Sequence, residues 1–503
     1  MLRFKIKDFE LAGRLGVLYT KSGAIETPAF FPVIDPIRQE VTIEDIKEVG
    51  FKQVITNAYL LYKRSGGQAQ DVHSLLGFDG VVMTDSGAYQ LLEYGEISVD
   101  QDTIIDFESK IGSDIAVILD HPTGDVSRKR AVESVRDTLT NARKALERLD
   151  VENDKTIWVL PIQGGKYLDL VELSAKESSS LPYPMYGIGS PSVFMERYRY
   201  DIVVKMVGTA KRLLPPERPV HLFGAGHPLV FPLAVALGVD TFDSASYVLY
   251  ARDDRYMTDY GTVRLKDLQY FPCSCPVCRK YTPKDLMEMP PEQRRRLLAI
   301  HNLYVIKRAI ERVKQAIAEG RLWDLIVETS RYRPEMPRAV RSLSVFYRYM
   351  ESFTPTSKGG LKGVRLVGIE SVWNPRVMRF RSLVLTKYAP PKGKRLVLVP
   401  LRSSKGCQEV RPREPDVHYI FYAPYLGLVP VDLCGLYPSA QFNYAEPVPY
   451  EVVRDLINFV RAFVARARAS SWSLEAVSTR SKAWSLEVGR ELERLGIKVT
   501  WRD

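Results

Sequence analysis

Along the first 250 residues, short runs of apolar and β-branched side chains alternate with longer stretches in which apolar positions recur every three or four residues. The apolar runs occupy 54–56, 81–85, 115–120, 157–163, 185–189, 220–224 and 241–243. They are almost continuously apolar rather than alternating, which predicts strands covered on both faces, as parallel strands are. Between them the spacing predicts amphipathic helices. In 127–149, Ser127 stands where an N-cap belongs, and Ala131, Val135, Leu139, Ala142 and Leu146 share one face. Repeated strand–helix units predict an α/β fold with a parallel sheet. Seven or eight such units, with no glycine-rich phosphate turn after the first strand, favour a (β/α)8 TIM-type barrel over an open doubly wound sheet. Asp85, Asp120, Gln163, Gly189, Gly224 and Asp243 all fall at the ends of apolar runs. In a barrel those ends meet at the C-terminal mouth, where barrel enzymes carry their chemistry.

From Cys273 to about residue 350 the pattern turns helical and basic, with one long amphipathic stretch over 292–321. The segment TPTSKGGLKG at 354–363 reads as a boundary. Beyond it come strand-like runs (LVLTK, RLVLVPL, YIFYAPYLGLVPV), a helix over Tyr450–Ala469 and a small α/β tail. The expected organisation is a catalytic barrel over 1–270, an inserted zinc-binding subdomain with closing helices over 271–350, and a basic α+β region over 351–503. A length of 503 residues accommodates that many cores. No apolar run reaches the ~18 residues of a membrane span, and the opening MLRFKIKDFE is charged where a secretion signal is apolar. A cytoplasmic protein without membrane attachment is expected.

Charge sharpens this division. Residues 352–503 contain 24 Lys and Arg against 13 Asp and Glu, so they carry the whole net charge of +11. Residues 1–351 are balanced at 47 of each sign. Such asymmetry is expected when one part of a chain grips a polyanion and another does chemistry. Arg461, Arg466 and Arg468 on the predicted 450–469 helix, and Lys392, Lys394 and Arg395 in PPKGKR, are candidate phosphate contacts.

Five cysteines make no disulfide framework, and three of them lie within six residues, which points to metal in a reducing compartment. FPCSCPVC places Cys273, Cys275 and Cys278 in a C-x-C-x2-C run, with His301 following in LLAIHNLY. Three thiolates and one imidazole make a closed tetrahedral shell for structural Zn2+, one per chain. Cys407, Cys434 or a carboxylate are alternatives to His301 as fourth ligand.

The carboxylates form a second constellation. VVMTDSGAYQ, AVILDHPTGD and GVDTFDSASY each end a strand on an aspartate (Asp85, Asp120, Asp243), and PIQGG adds the amide of Gln163. Carboxylates accept from the ring N–H and exocyclic amine of a purine, and an amide donates to its carbonyl. Tyr89 is placed to stack on such a base. The remaining carboxylates suit a nucleophile and a general acid/base.

Taken together, DSGAYQ, the LD-x-P turn at Asp120, PIQGG, GxGxP at 224–228, GVDTFDS and the CxCxxC…His set resemble tRNA-guanine transglycosylases over roughly residues 1–345. The basic extension and the DSGAYQ and HPTGD variants resemble the archaeal branch. The resemblance implies replacement of guanine at position 15 of the tRNA D-loop by 7-cyano-7-deazaguanine, an early step of archaeosine synthesis. It implies double displacement through a covalent enzyme–tRNA intermediate, with no nucleotide or redox cofactor. By it, Asp243 is the nucleophile at C1′ and Asp85 the general acid/base, although the position matching Asp85 has also been given the nucleophile's role. Asp120, Gln163, Gly189 and Ser190 match the base pocket, Cys273, Cys275, Cys278 and His301 match the zinc ligands, and a homodimer is implied. Archaeal members commonly end in a PUA domain, and no PUA pattern is recognised in this sequence. The rival readings are a non-catalytic tRNA-binding paralogue, exchange at the anticodon wobble guanine as in the bacterial branch, and action on the inserted nitrile. The paired Asp85 and Asp243 weigh against the first and the last. The extension beyond residue 350 weighs against the second.

Overall fold

The computed structural model describes residues 3–35, 38–88, 100–356, 358–401 and 415–502. It divides into two compact units, Met1–Ala318 with Thr329–Leu343, and Glu319–Glu328 with Ser344–Asp503.

The first unit opens with an antiparallel sheet of β1 (Phe4–Glu10), β2 (Gly13–Tyr19) and β3 (Ala24–Thr27). Eight parallel strands follow: β4 (Ala29–Pro32), β5 (Gln53–Asn57), β6 (Val81–Asp85), β7 (Ile115–Val117), β8 (Ile157–Ile162), β9 (Met185–Ile188), β10 (Val220–Leu222) and β11 (Thr241–Ser244). Each pairs with its sequence neighbour, and β11 pairs with β4. A parallel bridge from Val33 to Ile55, with Ile34 N–H donating to the Ile55 carbonyl at 2.7 Å, joins the remaining edge. The sheet thereby closes into the expected (β/α)8 barrel. Phe31, Ile55, Met83, Val117, Val159 and Met185 fill its interior.

Seven of these strands coincide with the apolar runs read from the sequence. The first, β4, was not among them. It is four residues long, follows directly on Pro28 and ends in Pro32, and prolines at both ends read as turn signals rather than as a strand. The helix expected over 127–149 spans Arg128–Ala145 with Ala131, Val135, Leu139 and Ala142 buried. Ser127 occupies its N-cap position, but its side chain makes no capping hydrogen bond.

After β11 the chain forms a hairpin of β12 (Arg255–Thr258) and β13 (Gly261–Arg264), the cysteine loop, and a helix over Pro291–Ala318. Asn302 in that helix accepts from Met257 N–H at 2.9 Å and donates to the Tyr247 carbonyl at 3.0 Å. The helix is thus tied to both the hairpin and the segment after β11.

The second unit is a five-stranded sheet in the order β17–β16–β15–β19–β20, from β15 (Arg395–Pro400), β16 (Val417–Ala423), β17 (Gly427–Pro430), β19 (Leu474–Thr479) and β20 (Lys498–Arg502). A parallel pair, β14 (Val364–Leu366) and β18 (Phe442–Tyr444), stands beside it. The helix Tyr450–Ala469 appears where expected, burying Val452, Leu456, Val460, Phe463 and Val464. LVLTK, by contrast, is no strand. It ends the helix Pro375–Thr386, whose start is set by Asn374, which accepts from Arg376 N–H, and by Pro375 in the first turn. Val377, Phe380, Arg381 and Val384 then fall on its buried side at helical spacing, overriding the β-propensity of Leu-Val-Leu-Thr.

The arginines of the 450–469 helix are committed within this unit. Arg461 pairs with Glu491 at 2.8 Å. Arg466 donates to the carbonyls of Val384 and Leu385 at 3.1 and 2.8 Å and to that of Tyr388, and Arg468 donates to the Leu495 carbonyl. Arg395 pairs with Asp416 and Glu475. These groups are engaged within the unit, and Arg461 and Arg468, expected to share a face, are both exposed. Of the six cations singled out, Lys392, Lys394, Arg461 and Arg468 are exposed, the two arginines while paired within the unit. No helix among the described residues is long and apolar enough to cross a membrane.

Candidate active site and metal centre

The C-terminal ends of the barrel strands open on a cavity of about 470 Å³. Asp85, Asp120, Gln163, Gly189, Ser190, Gly224 and Asp243 all line it, so every polar strand end singled out in the sequence converges there. Tyr89 lies outside the described residues.

One wall is built around Gln163. Its Oε1 accepts from the Thr123 N–H and hydroxyl, both at 3.0 Å, and from the Ser190 hydroxyl at 3.2 Å. Those donors fix the amide orientation, so Nε2 must point the other way, and it donates to Asp120 Oδ2. Gly189 has to be glycine, because a Cβ there would come within 2.2 Å of Gln163 Nε2. Ser190 holds φ of 62°, a strained value for serine that sets its hydroxyl onto the same amide.

The opposite wall carries Asp243 on β11. Its Oδ1 accepts from the Gly224 N–H at 2.9 Å and contacts His221 Nε2 at 2.9 Å. Asp85, at the end of β6, faces both other carboxylates. Burial, then the charges of Asp120 and Asp243, push its carboxyl up to about 7, against the N–H groups of Gly87 and Ser86. Burial likewise pushes Asp120 up to about 6, opposed by the Gln163 hydrogen bond. A carboxyl poised near neutrality beside a second, differently held carboxylate is the arrangement that acid–base chemistry on a leaving group requires.

Away from the mouth, Cys273, Cys275, Cys278 and His301 bring their ligand atoms within 4.8 Å of one another. His301 Nε2 lies 3.0 Å from the Met257 carbonyl, so that nitrogen carries the proton and Nδ1 is left to face Cys275 and Cys278 Sγ at 3.4 and 3.3 Å. The Tyr256 ring stacks on His301 at 3.8 Å and on Phe271 at 5.1 Å, locking the imidazole. The cluster can hold a metal ion in a four-ligand site. Cys434 is disulfide-bonded, which removes it as an alternative ligand and departs from the expectation of wholly reduced cysteines. Cys407 lies outside the described residues.

Comparison with known proteins agrees with this geometry. The queuine tRNA-ribosyltransferase family profile matches residues 8–335. The chain belongs to that family. It is therefore an enzyme, a transferase acting on tRNA. Similar archaeal proteins named tRNA-guanine(15) transglycosylase include that of Aeropyrum pernix, 52% identical over 94% of this chain and 93% of the relative. That of Sulfolobus acidocaldarius is 45% identical over 92% and 93%. That of Methanocaldococcus jannaschii is 40% identical over 90% of this chain and 70% of the relative.

Two features of this tRNA-ribosyltransferase were not singled out in the sequence. Thr123, which orients Gln163, sits in HPTGD and looks like an ordinary turn residue. His221 sits inside an apolar strand, where a histidine usually reads as a satisfied core group. Its register opposite Thr241 is the signal, visible only once the strands are paired.

Proposed function

We propose that this enzyme exchanges guanine at position 15 of the tRNA D-loop for 7-cyano-7-deazaguanine, by double displacement. The observation that carries the reading is the convergence of Asp85, Asp120, Gln163 and Asp243 on one cavity. The names of the archaeal relatives support position 15 over the anticodon. In the first half, Asp243 attacks C1′ of the ribose. The Asp243 oxygen–C1′ bond forms, the C1′–N9 bond breaks with its electrons passing to the purine, and Asp85 supplies the proton that neutralises the leaving guanine. In the second half, Asp85 takes the N9 proton of the incoming base, which displaces Asp243 and restores the free carboxylate. No external oxidant, reductant or nucleotide enters the balance. Asp120 accepts from the N1–H and exocyclic amine of either base, and Gln163 Nε2 donates to the carbonyl that guanine and its 7-deaza analogue share. Gly189 and Ser190 shape the floor against which that edge lies. Archaeosine synthesis, a homodimeric assembly and a cytoplasmic setting complete the proposal.

Incubation with labelled 7-cyano-7-deazaguanine and an unmodified tRNA transcript, followed by mapping of the label, tests it. Label at position 15 is expected. Label at the anticodon, or none, overturns it.

Zinc fits the Cys3His set by ligand type, number and spacing. Bound there it supplies folding free energy to the cysteine loop and no open coordination position for substrate. Elemental analysis is expected to find one zinc per chain. Cys275→Ser is expected to lower stability by about 5 kcal/mol or more, read by thermal unfolding, while the remaining folded fraction keeps its rate.

The basic 351–503 region is assigned to tRNA binding, with Lys392 and Lys394 as phosphate contacts. Replacing both by alanine is expected to flatten the log–log salt dependence of tRNA binding by about 2, with the affinity for free base unchanged. A chain cut after residue 350 is a poor test of this assignment. It would strip the helix Leu322–Thr329 from its unit, where Trp323 donates to the Glu370 carbonyl and Arg376 to that of Gly320.

A further inference from the structure

His221 is fully buried in the wall of an otherwise apolar barrel, with Phe223 against its ring at 4.6 Å and Phe31 at 6.1 Å. Burying an imidazole among such neighbours is costly unless both nitrogens are satisfied. Both are. Nδ1 lies 2.9 Å from Thr241 Oγ1, and Nε2 lies 2.9 Å from Asp243 Oδ1. The arrangement follows from strand register. His221 on β10 pairs directly with Thr241 on β11, and Thr241 and Asp243, two residues apart, present their side chains on the same face. One imidazole therefore spans both.

The proton positions follow from the partners. A carboxylate oxygen only accepts, so Nε2 carries hydrogen and donates to Asp243 Oδ1. Nδ1 of the neutral ring is then the acceptor, and Thr241, itself fully buried, donates its hydroxyl proton to it. Asp243 Oδ1 takes the Gly224 N–H as well. With two N–H donors on Oδ1, the carboxylate is held in one rotamer, and Oδ2 is the oxygen left to react.

We propose that His221 is the positioning residue for the nucleophilic carboxylate, with Thr241 holding the ring in place through Nδ1, so that the Thr241–His221–Asp243 chain decides which oxygen attacks C1′. The proposal rests on the assignment of Asp243 as nucleophile. It differs from a purely structural role in a measurable way. A buried polar pair kept only for packing is replaced at little cost when an apolar group of similar shape fills the space. A positioning group lost from beneath a nucleophile costs rate in the chemical step and leaves binding alone.

The test uses the full-length enzyme with tRNA, and reads single-turnover adduct formation alongside kcat and KM. His221→Phe fills the volume and removes both hydrogen bonds. It is expected to lower kcat and the adduct rate about 100-fold or more, with KM for tRNA and for the base within threefold. His221→Gln keeps a donor for Asp243 and an acceptor for Thr241, and is expected to recover the rate to within about tenfold of the parent. Thr241→Val removes the partner of Nδ1, leaves the ring less firmly held, and is expected to lose about tenfold in kcat at unchanged KM. If His221→Phe does not fold, Thr241→Val and His221→Gln decide the matter. Parental kcat in Thr241→Val, or losses in kcat that simply track thermal stability across the variants, overturns the proposal. Asp243→Asn, assayed in parallel, separates the two layers. Adduct formed by Asp243→Asn means that the nucleophile has been misassigned. No adduct from Asp243→Asn, together with full rate in His221→Phe, means that His221 alone has been.

Discussion

Asp243→Asn is expected to abolish base exchange and the covalent enzyme–tRNA adduct together, with a loss on the order of 10⁶-fold in rate, as for removal of other covalent nucleophiles. The substitution is chosen because it leaves the surroundings intact. The asparagine Oδ1 still accepts from Gly224 N–H and from His221, so the hydrogen bonds that hold the side chain in the wall of the barrel survive. What disappears is the anionic oxygen proposed to form the bond to C1′. Affinity for tRNA is expected to stay within a few-fold, because the proposed phosphate contacts, which dominate such affinities, lie elsewhere. Denaturing gels run without incoming base give the decisive readout. A persistent adduct with Asp243→Asn would move the nucleophile to Asp85, which lines the same cavity.

Much of this site is legible before any coordinates are seen, for a physical reason. In a parallel barrel each strand is buried along its length and becomes exposed only where it ends. A polar residue closing an apolar run therefore marks the mouth, and Asp85, Asp120, Gln163 and Asp243 do line one cavity. The metal cluster is legible because ligand spacing in a tight loop is a local property. What escaped the sequence is what depends on pairing between distant segments. His221 and Thr241 are twenty residues apart, and their relation exists only in the register of β10 on β11. Thr123 reaches Gln163 across forty residues, and the disulfide at Cys434 is equally invisible to composition. LVLTK misleads because its β-propensity is real, while the Asn-Pro helix start eight residues upstream and the buried face behind it are stronger. The arginines at 461, 466 and 468 show the same limit from another side: charge counts reveal an excess of cations but not which of them are paired with a carboxylate or with carbonyls of their own unit.

Asp85→Asn should convert a bell-shaped pH profile into a single rising limb, with a loss of about 10²–10⁴ in kcat/KM near neutrality. In the proposed reaction Asp120 must be ionised to accept from the purine edge, and with a value of about 6 it becomes competent as pH rises through that point. Asp85 must be protonated to release guanine, and with a value of about 7 it loses that competence as pH rises further. For the parent enzyme, kcat/KM for tRNA is therefore expected to peak between pH 6 and 7 and to fall on both sides. Asparagine cannot supply the proton, so the alkaline limb goes with the side chain while the Asp120 limb remains. Stability provides an independent reading of the same groups. Both carboxyls are raised above the ordinary aspartate value of 3.8, so the stability linked to them is fully present below pH 3.8 and is lost as pH rises through 6 and 7. Asp85→Asn removes one of these charges from the barrel mouth. It is expected to be more stable than the parent by about 4 kcal/mol at pH 8, a difference that shrinks toward zero as pH approaches 4. Urea unfolding of the two proteins at pH 4, 6 and 8 measures it. An equal difference at all three values would mean that Asp85 is ionised throughout and is not the acid, whatever the rate profile shows.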